Sequence, residues 1–216
     1  MKIFFLVLLA TALSFTVTAQ DVTLPAPAAT VGVDLITAIQ NRSVARAFVK
    51  HELAAKDLST ILAAAIGKRA PDAVASATKA ARTVSFSGDN AYINLYFLDA
   101  KGTYFYDADH HTLKLLSPGD SRAAVCPEAI ANADFLVVFT ANGALMPAFL
   151  KSSPAVFQLM AQATAGFSAQ NLTLAASALK LSSIVMYNLK PAAIIAAAKL
   201  AKDETPLFLV QVGAAK

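Results

Sequence analysis

Two arginines stand four residues apart in "NRSVARAF", residues 41–48. On a helix this spacing puts Arg42 and Arg46 on one face, where a pair of cations forms a solvated edge. "DADHH", residues 107–111, gathers side chains of metal-ligating type. It lies between "GTYFY" and "TLKLL", however, and Asp and His are ordinary turn residues, so a hairpin turn is the better reading. The single cysteine, Cys126, excludes an intrachain disulfide, and "AVCPEAI" supplies no cation or histidine to favour a thiolate. "SFSGD" lacks the spacing of a strand-to-helix nucleophile elbow, which argues against Ser87 as a hydrolase nucleophile. His51, expected at the end of the first helix, is read as a favourable charge at a helix C-terminus. No glycine fingerprint for nucleotide phosphates is present.

The elements that must position these residues follow from periodicity and punctuation. Asp34 is placed to cap a helix running through "LITAIQNRSVARAF", and Asp57 or Ser59 to cap a second, "LSTILAAAIG", closed by Gly67. A long polar loop follows to Asn90, and long loops in compact domains are often functional. "AYINLYFLD", "GTYFYD" and "HTLKLLS", parted by turns at Lys101-Gly102 and Asp107–His110, predict an antiparallel meander. "ADFLVVFTA" is hydrophobic throughout and predicts a central strand. Residues 154–180, apolar or small on nearly every side, predict a long buried helix. A strand "SSIVMY", a helix opened by Pro191 and a final strand "TPLFLVQVG" complete an α+β domain over residues 34–216.

"MKIFFLVLLATALSFTVTAQ" has one early lysine, a short apolar run and small residues to Ala19. This is the pattern of a secretory signal peptide over residues 1–19, so the protein is expected to be exported, to the periplasm or beyond, with no membrane span after cleavage. Residues 20–33, rich in Pro, Ala and Thr, predict an extended leader tethering the fold. The formal net charge of +4 is mild and its cations are scattered, so neither nucleic acid nor a membrane surface is implied as a partner.

Three further blocks carry a resemblance. "RSVARAF" is similar to an Arg-x-Ser-x-Arg/Lys-x-Phe pattern at Arg42, Arg46 and Phe48, with Val44 where a serine is usual. "RTVSFSGDNAYINLYF" matches an Arg-Thr-x-Pro-Ser-Ala-x-Asn-x-x-x-Ile-x-x-Tyr-Val pattern at Arg82, Thr83, Ile93 and Tyr96, while Ser85, Phe86 and Asp89 depart from it. "GFSAQNLTLAA" and the closing "LFLVQVGAAK" match a long helix and a C-terminal strand in spacing. Together the blocks, spanning residues 35–216, resemble the nitroreductase-like flavoproteins, in particular the branch that oxidises azoline rings in peptides.

That resemblance implies a nitroreductase-like fold, an α+β domain whose mixed, mostly antiparallel central sheet is flanked by helices around a long buried one. It also implies an FMN-dependent oxidoreductase, acting as an intertwined homodimer on a small organic substrate by hydride transfer through flavin N5. Arg42, Ser43, Arg46 and Lys216 would bind the phosphate of FMN. Ser85, Ser87, Asp89 and Asn90 would line the ring pocket, and the backbone of Met186, Tyr187 and Asn188 would lie near N5. No side-chain acid or base is required, because the flavin carries the chemistry. The alternative is a degenerate member that has lost FMN and serves as a binding module, suggested by Phe86, Asp89 and Tyr187.

Overall fold

A computed structural model of the chain describes residues 20–69, 81–88, 90–128 and 132–216; the expected signal peptide and Asp89 lie outside the described residues. Seven strands form one sheet: β1 Val22–Thr23, β2 Ile93–Leu98, β3 Gly102–Asp107, β4 Thr112–Pro118, β5 Phe135–Asn142, β6 Ser182–Met186 and β7 Glu204–Gly213. Their spatial order is β1-β4-β3-β2-β5-β7-β6, and every pairing is antiparallel. β5 is central, as its unbroken hydrophobicity predicts: its residues from Phe135 to Ala141 are all buried. The meander β2-β3-β4 turns where expected. Asp107 takes the backbone N–H groups of Asp109 and His110 at 3.1 and 3.2 Å, so "DADHH" is a side-chain-closed hairpin turn.

Two helical layers cover the sheet. On one face lie α1 Leu35–Asn41, α2 Ala55–Ile66 and α4 Pro154–Ala178, over a core that includes Ile61, Tyr92, Phe135, Phe139 and Leu172. On the other lie the short α3 Arg122–Val125 and α5 Pro191–Ala198, over Tyr96, Leu136, Ile194 and Leu209. α4 is the long helix expected, capped by Ser153, whose hydroxyl oxygen accepts the Val156 N–H, and opened by Pro154. Its buried face carries Ala161, Ala165, Ser168, Leu172 and Ala176. Small residues there allow close packing on α2, where the Ser168 hydroxyl donates to the Ala65 carbonyl at 2.8 Å. The opposite face is bare within one chain, with Leu159 67% and Phe167 61% exposed.

Three local outcomes differ from the sequence reading. α1 is capped by Asp34 as expected but stops at Asn41 instead of running to Phe48. The chain after it is drawn into other pairings: the Ser43 carbonyl accepts the Ser183 N–H, and Phe48 bridges Ala215 and packs, 4% exposed, on Gly213. Burying an aromatic ring outweighs the few tenths of a kcal/mol that helix propensity offers per residue. His51 therefore ends no helix; its Nδ1 is 2.8 Å from Asp134 Oδ2.

α2 starts at Ala55, and neither Asp57 nor Ser59 caps it. The Ser59 hydroxyl is buried and donates instead to the Pro25 carbonyl at 2.6 Å. The reason is the leader, which is docked rather than free. β1 pairs with β4, Leu24 is buried, and His111 Nε2 contacts both Pro25 O and Ser59 Oγ.

Candidate functional site

The segment from Arg42 to Phe48 is non-helical, bends at Arg46 and Ala47, and lies against the start of β6 and the residues that follow β7. Ser43 Oγ and Ser182 Oγ are 2.8 Å apart, so Arg42 and Ser43 stand at the start of β6. The Lys216 N–H donates to Ala47 O at 3.1 Å and the Val49 N–H to Ala214 O at 3.0 Å, which sets the backbone of Lys216 beside Arg46. Gly213 allows the close approach where these strands converge: a Cβ there would lie 3.0 Å from Phe48 Cδ1 and 3.2 Å from the Asp134 nitrogen. Arg42, Arg46 and Lys216 are all exposed, and among the described residues none has an ion-pair partner. Backbone pairing thus gathers three cations that the protein itself leaves uncompensated.

From that cluster β6 leads to a groove of about 230 Å³ between α4 and the β6 edge. Gln162, Gly166, Gln170 and Thr173 of α4 form one wall, and Val185, Tyr187 and Phe208 the other. The Tyr187 and Phe208 rings are 5.8 Å apart, and Tyr187 remains 76% exposed. Alternation along β6 sends the Ile184 and Met186 side chains into the core of the opposite face, so Val185 and Tyr187 look into the groove while Met186 does not. Asn188 is held from the other side, its Nδ2 2.5 Å from Glu128 Oε1 and its carbonyl near the Cys126 thiol. Gly166 leaves open space, since nothing lies within 4 Å of where a Cβ would be. From Ser182 to Met186 the strand covers about 13 Å at some 3.3 Å per residue.

Ser85, Ser87 and Asn90 are placed elsewhere. Their loop is tied to the far flank of α4 by Asn171 Nδ2, which donates to Thr83 O at 3.3 Å, and by Tyr92, whose hydroxyl is 2.9 Å from Thr164 Oγ1. Arg82 pairs with Asp109 at 2.9 Å, and Gly88, at φ +106°, lies where a Cβ would sit 2.5 Å from Pro147 Cγ. With 3.6 residues per turn, Thr164 and Gly166 point to nearly opposite sides of α4. Within one chain the three residues are therefore not brought to the groove. Phe86 is turned into the core, packed edge-on against Tyr92 at 5.1 Å.

Burial raises the pKa of the Cys126 thiol, which suits a packed cysteine rather than a nucleophile. Among the described residues no group of three or more His, Cys, Asp or Glu side chains is arranged to hold a metal ion. None of their helices is long and apolar enough to cross a membrane. The groove's α4 wall had a faint sequence signal, polar or small residues at 162, 166, 170 and 173; Val185, Phe208 and Ser182 had none.

The sequence profile of the nitroreductase family matches residues 39–214, nearly the whole described domain. The chain belongs to the nitroreductase family. Curated protein sequences include no match to it. Among solved structures, this nitroreductase-family chain is similar to a Ralstonia eutropha protein assigned to the nitroreductases, with 27% identity, a TM-score of 0.79, and 93% of this chain and 91% of that one covered. It also superimposes on the E. coli microcin synthetase complex at TM-score 0.66, with 16% identity over 81% of this chain and 70% of that one. The NADPH:FMN oxidoreductase of Vibrio harveyi gives a TM-score of 0.56, with 17% identity over 84% and 69%. The last two likenesses show the common fold. The protein thus has the fold of the nitroreductase-family flavin oxidoreductases, as the resemblance implied.

Proposed function

We propose that this nitroreductase-family protein is an exported, homodimeric FMN-dependent oxidoreductase acting on a small organic acceptor. The observation that carries this reading is the set of exposed cations Arg42, Arg46 and Lys216, without ion-pair partners among the described residues, near the start of the strand on whose further length the groove between α4 and Tyr187 opens. The residues fit FMN. Guanidinium and ammonium groups suit a dianionic phosphate, and Ser43, positioned by Ser182, adds a hydroxyl beside them. Tyr187 and Phe208 would offer aromatic surface to the ring of FMN, and Gln162 and Gln170 amide groups to its polar atoms. When bound, FMN supplies two-electron hydride exchange between a reduced donor and an acceptor.

A second copy completes the site in this reading. The exposed Leu159, Gly166 and Phe167 face of α4 separates the groove from the loop carrying Ser85, Ser87 and Asn90, so covering that face with a twofold mate brings the mate's loop toward the groove. The apolar side chains of Leu35, Ile36 and Ile39, exposed on α1, extend the same bare surface. Export rests on residues 1–19 alone.

The alternative, a binding module that has given up FMN, is favoured by one observation, the exposed Tyr187 ring standing at the groove wall. Phe86 packs edge-on against Tyr92 and points away from the groove. An absorbance spectrum of the purified protein before and after dialysis with FMN decides between the two. Retained flavin bands support the oxidoreductase; a colourless protein that takes up no FMN at micromolar concentration supports the binding module.

A further inference from the structure

A second cavity lies at the β1 side of the sheet, away from the β6 edge and its groove. It occupies about 410 Å³ between the docked leader and residues 51–58, over the ends of β2, β3 and β5. Its floor is apolar, formed by Leu24, Leu58, Phe97, Tyr104 and Phe135. Its polar lining is concentrated in a few groups, of which three, Glu52, Asp99 and Asp134, are carboxylates, against one lysine, Lys101.

His51 organises that polar end. Its Nδ1 is 2.8 Å from Oδ2 of Asp134, whose side chain is 5% exposed while that of His51 is 36% exposed. A carboxylate accepts, so the bonded Nδ1 carries a proton, and in the neutral ring Nε2 keeps its lone pair. Among the described residues Nε2 has no partner, and the ring lines the cavity. Asp99 is fixed as well, with Oδ1 accepting the N–H groups of Lys101 and Gly102 at 2.8 and 3.0 Å. The result is an apolar container closed by an oriented acceptor in a field of excess negative charge. Such a lining suits a ligand that is cationic and donates hydrogen bonds, and repels one that ends in a carboxylate.

We propose that this cavity binds a small primary amine on an apolar body, its ammonium group received by His51 Nε2 and the carboxylates of Glu52 and Asp99. The site is independent of flavin: it shares no residue with the groove, and its occupancy does not depend on the oxidoreductase reading.

The test titrates the full chain with 2-phenylethylamine and, separately, with 3-phenylpropanoate, two probes of similar body and opposite head, read by amide chemical shifts at Glu52, Leu53, Phe97 and Lys101. The amine is expected to saturate with a Kd of about 1 mM or tighter, and the propanoate to leave these amides unmoved. His51→Ala is expected to weaken amine binding roughly tenfold. Asp99→Asn keeps the acceptor that holds its turn, removes a charge, and should weaken binding about fivefold. Three results would overturn the proposal: propanoate binding as tightly as the amine, no saturable shift with the amine at about 10 mM, or an amine affinity unchanged in both variants.

Discussion

Glu204, at the first position of β7, is buried and receives three donors on one oxygen. Asn94 Nδ2 is 2.8 Å from Oε1, the Tyr96 hydroxyl 2.9 Å, and the Thr140 hydroxyl closer still. Burial, reinforced by the charge of Glu204, holds the Tyr96 phenol well above its usual pKa, so it stays a donor at any physiological pH. Removing the shared acceptor strands all three donors, each at about 1–3 kcal/mol. Glu204→Ala is therefore expected to lower unfolding free energy in urea by roughly 3 kcal/mol or more, and Glu204→Gln, which keeps an acceptor, by clearly less. A loss under about 1 kcal/mol for the alanine variant would show that the network is dispensable. Nothing in "KDETPLF" marks this glutamate as buried, because its partners lie 64 to 110 residues away in the chain. The same scale governs Arg42 and Arg46. Replacing both with alanine should abolish FMN retention and leave the melting temperature without FMN nearly unchanged, since neither makes an ion pair among the described residues. Equal destabilisation with and without FMN, followed by thermal melts, would assign them a structural role instead.

Among the elements, the docked leader is the one that a pH change should loosen. His111 joins Tyr106, Ser59 and the Pro25 carbonyl, and burial lowers its pKa below the ordinary histidine value. In the window between that lowered value and about 6.5, the unfolded chain binds more protons than the folded one, so stability falls as pH falls. The difference in unfolding free energy between wild type and His111→Gln should therefore shrink as pH drops through that window. Protection of the Leu24 and Ala28 amides, which bond the His111 carbonyl and the Thr60 hydroxyl, should decline with it. A difference that stays flat with pH would rule out His111 as the clasp. The leader illustrates what periodicity misses: a two-residue strand has no period, and its docking is specified by Ser59 and His111, far along the chain. The meander, β5 and α4 were legible because each carries its own hydrophobic pattern over six or more residues. α1 ended early because Phe48 is claimed by the C-terminal strand, a partner invisible to local spacing.

At the scale of the whole molecule, the bare α4 face predicts association. Carboxylates placed at its two most exposed apolar positions, Leu159→Glu with Phe167→Glu, should give a monomer by light scattering that has also lost FMN. A variant that remains dimeric would move the interface elsewhere, and with it the origin of the Ser85–Asn90 loop in the site. Flavin bound only to the folded dimer would stabilise it by linkage, by about 2.7 kcal/mol at a hundredfold excess over Kd. That gain should vanish in the Arg42 and Arg46 double variant.

By itself the sequence determined the α+β class, the strands of the meander, the long helix and, through three blocks of resemblance, the family. These rest on local hydrophobic period and on motifs contiguous in the chain, which need no partner to be recognised. Only the tertiary structure decided that Arg42 and Arg46 lie on an irregular, bent segment beside Lys216 rather than on a helix. It alone decided that Val185 and Tyr187, not Met186, face the groove, and that Ser85, Ser87 and Asn90 sit on the other flank of α4. Each of those outcomes is set by pairings between residues far apart in sequence, where burial and backbone hydrogen bonding outweigh the weak preferences a local stretch can express.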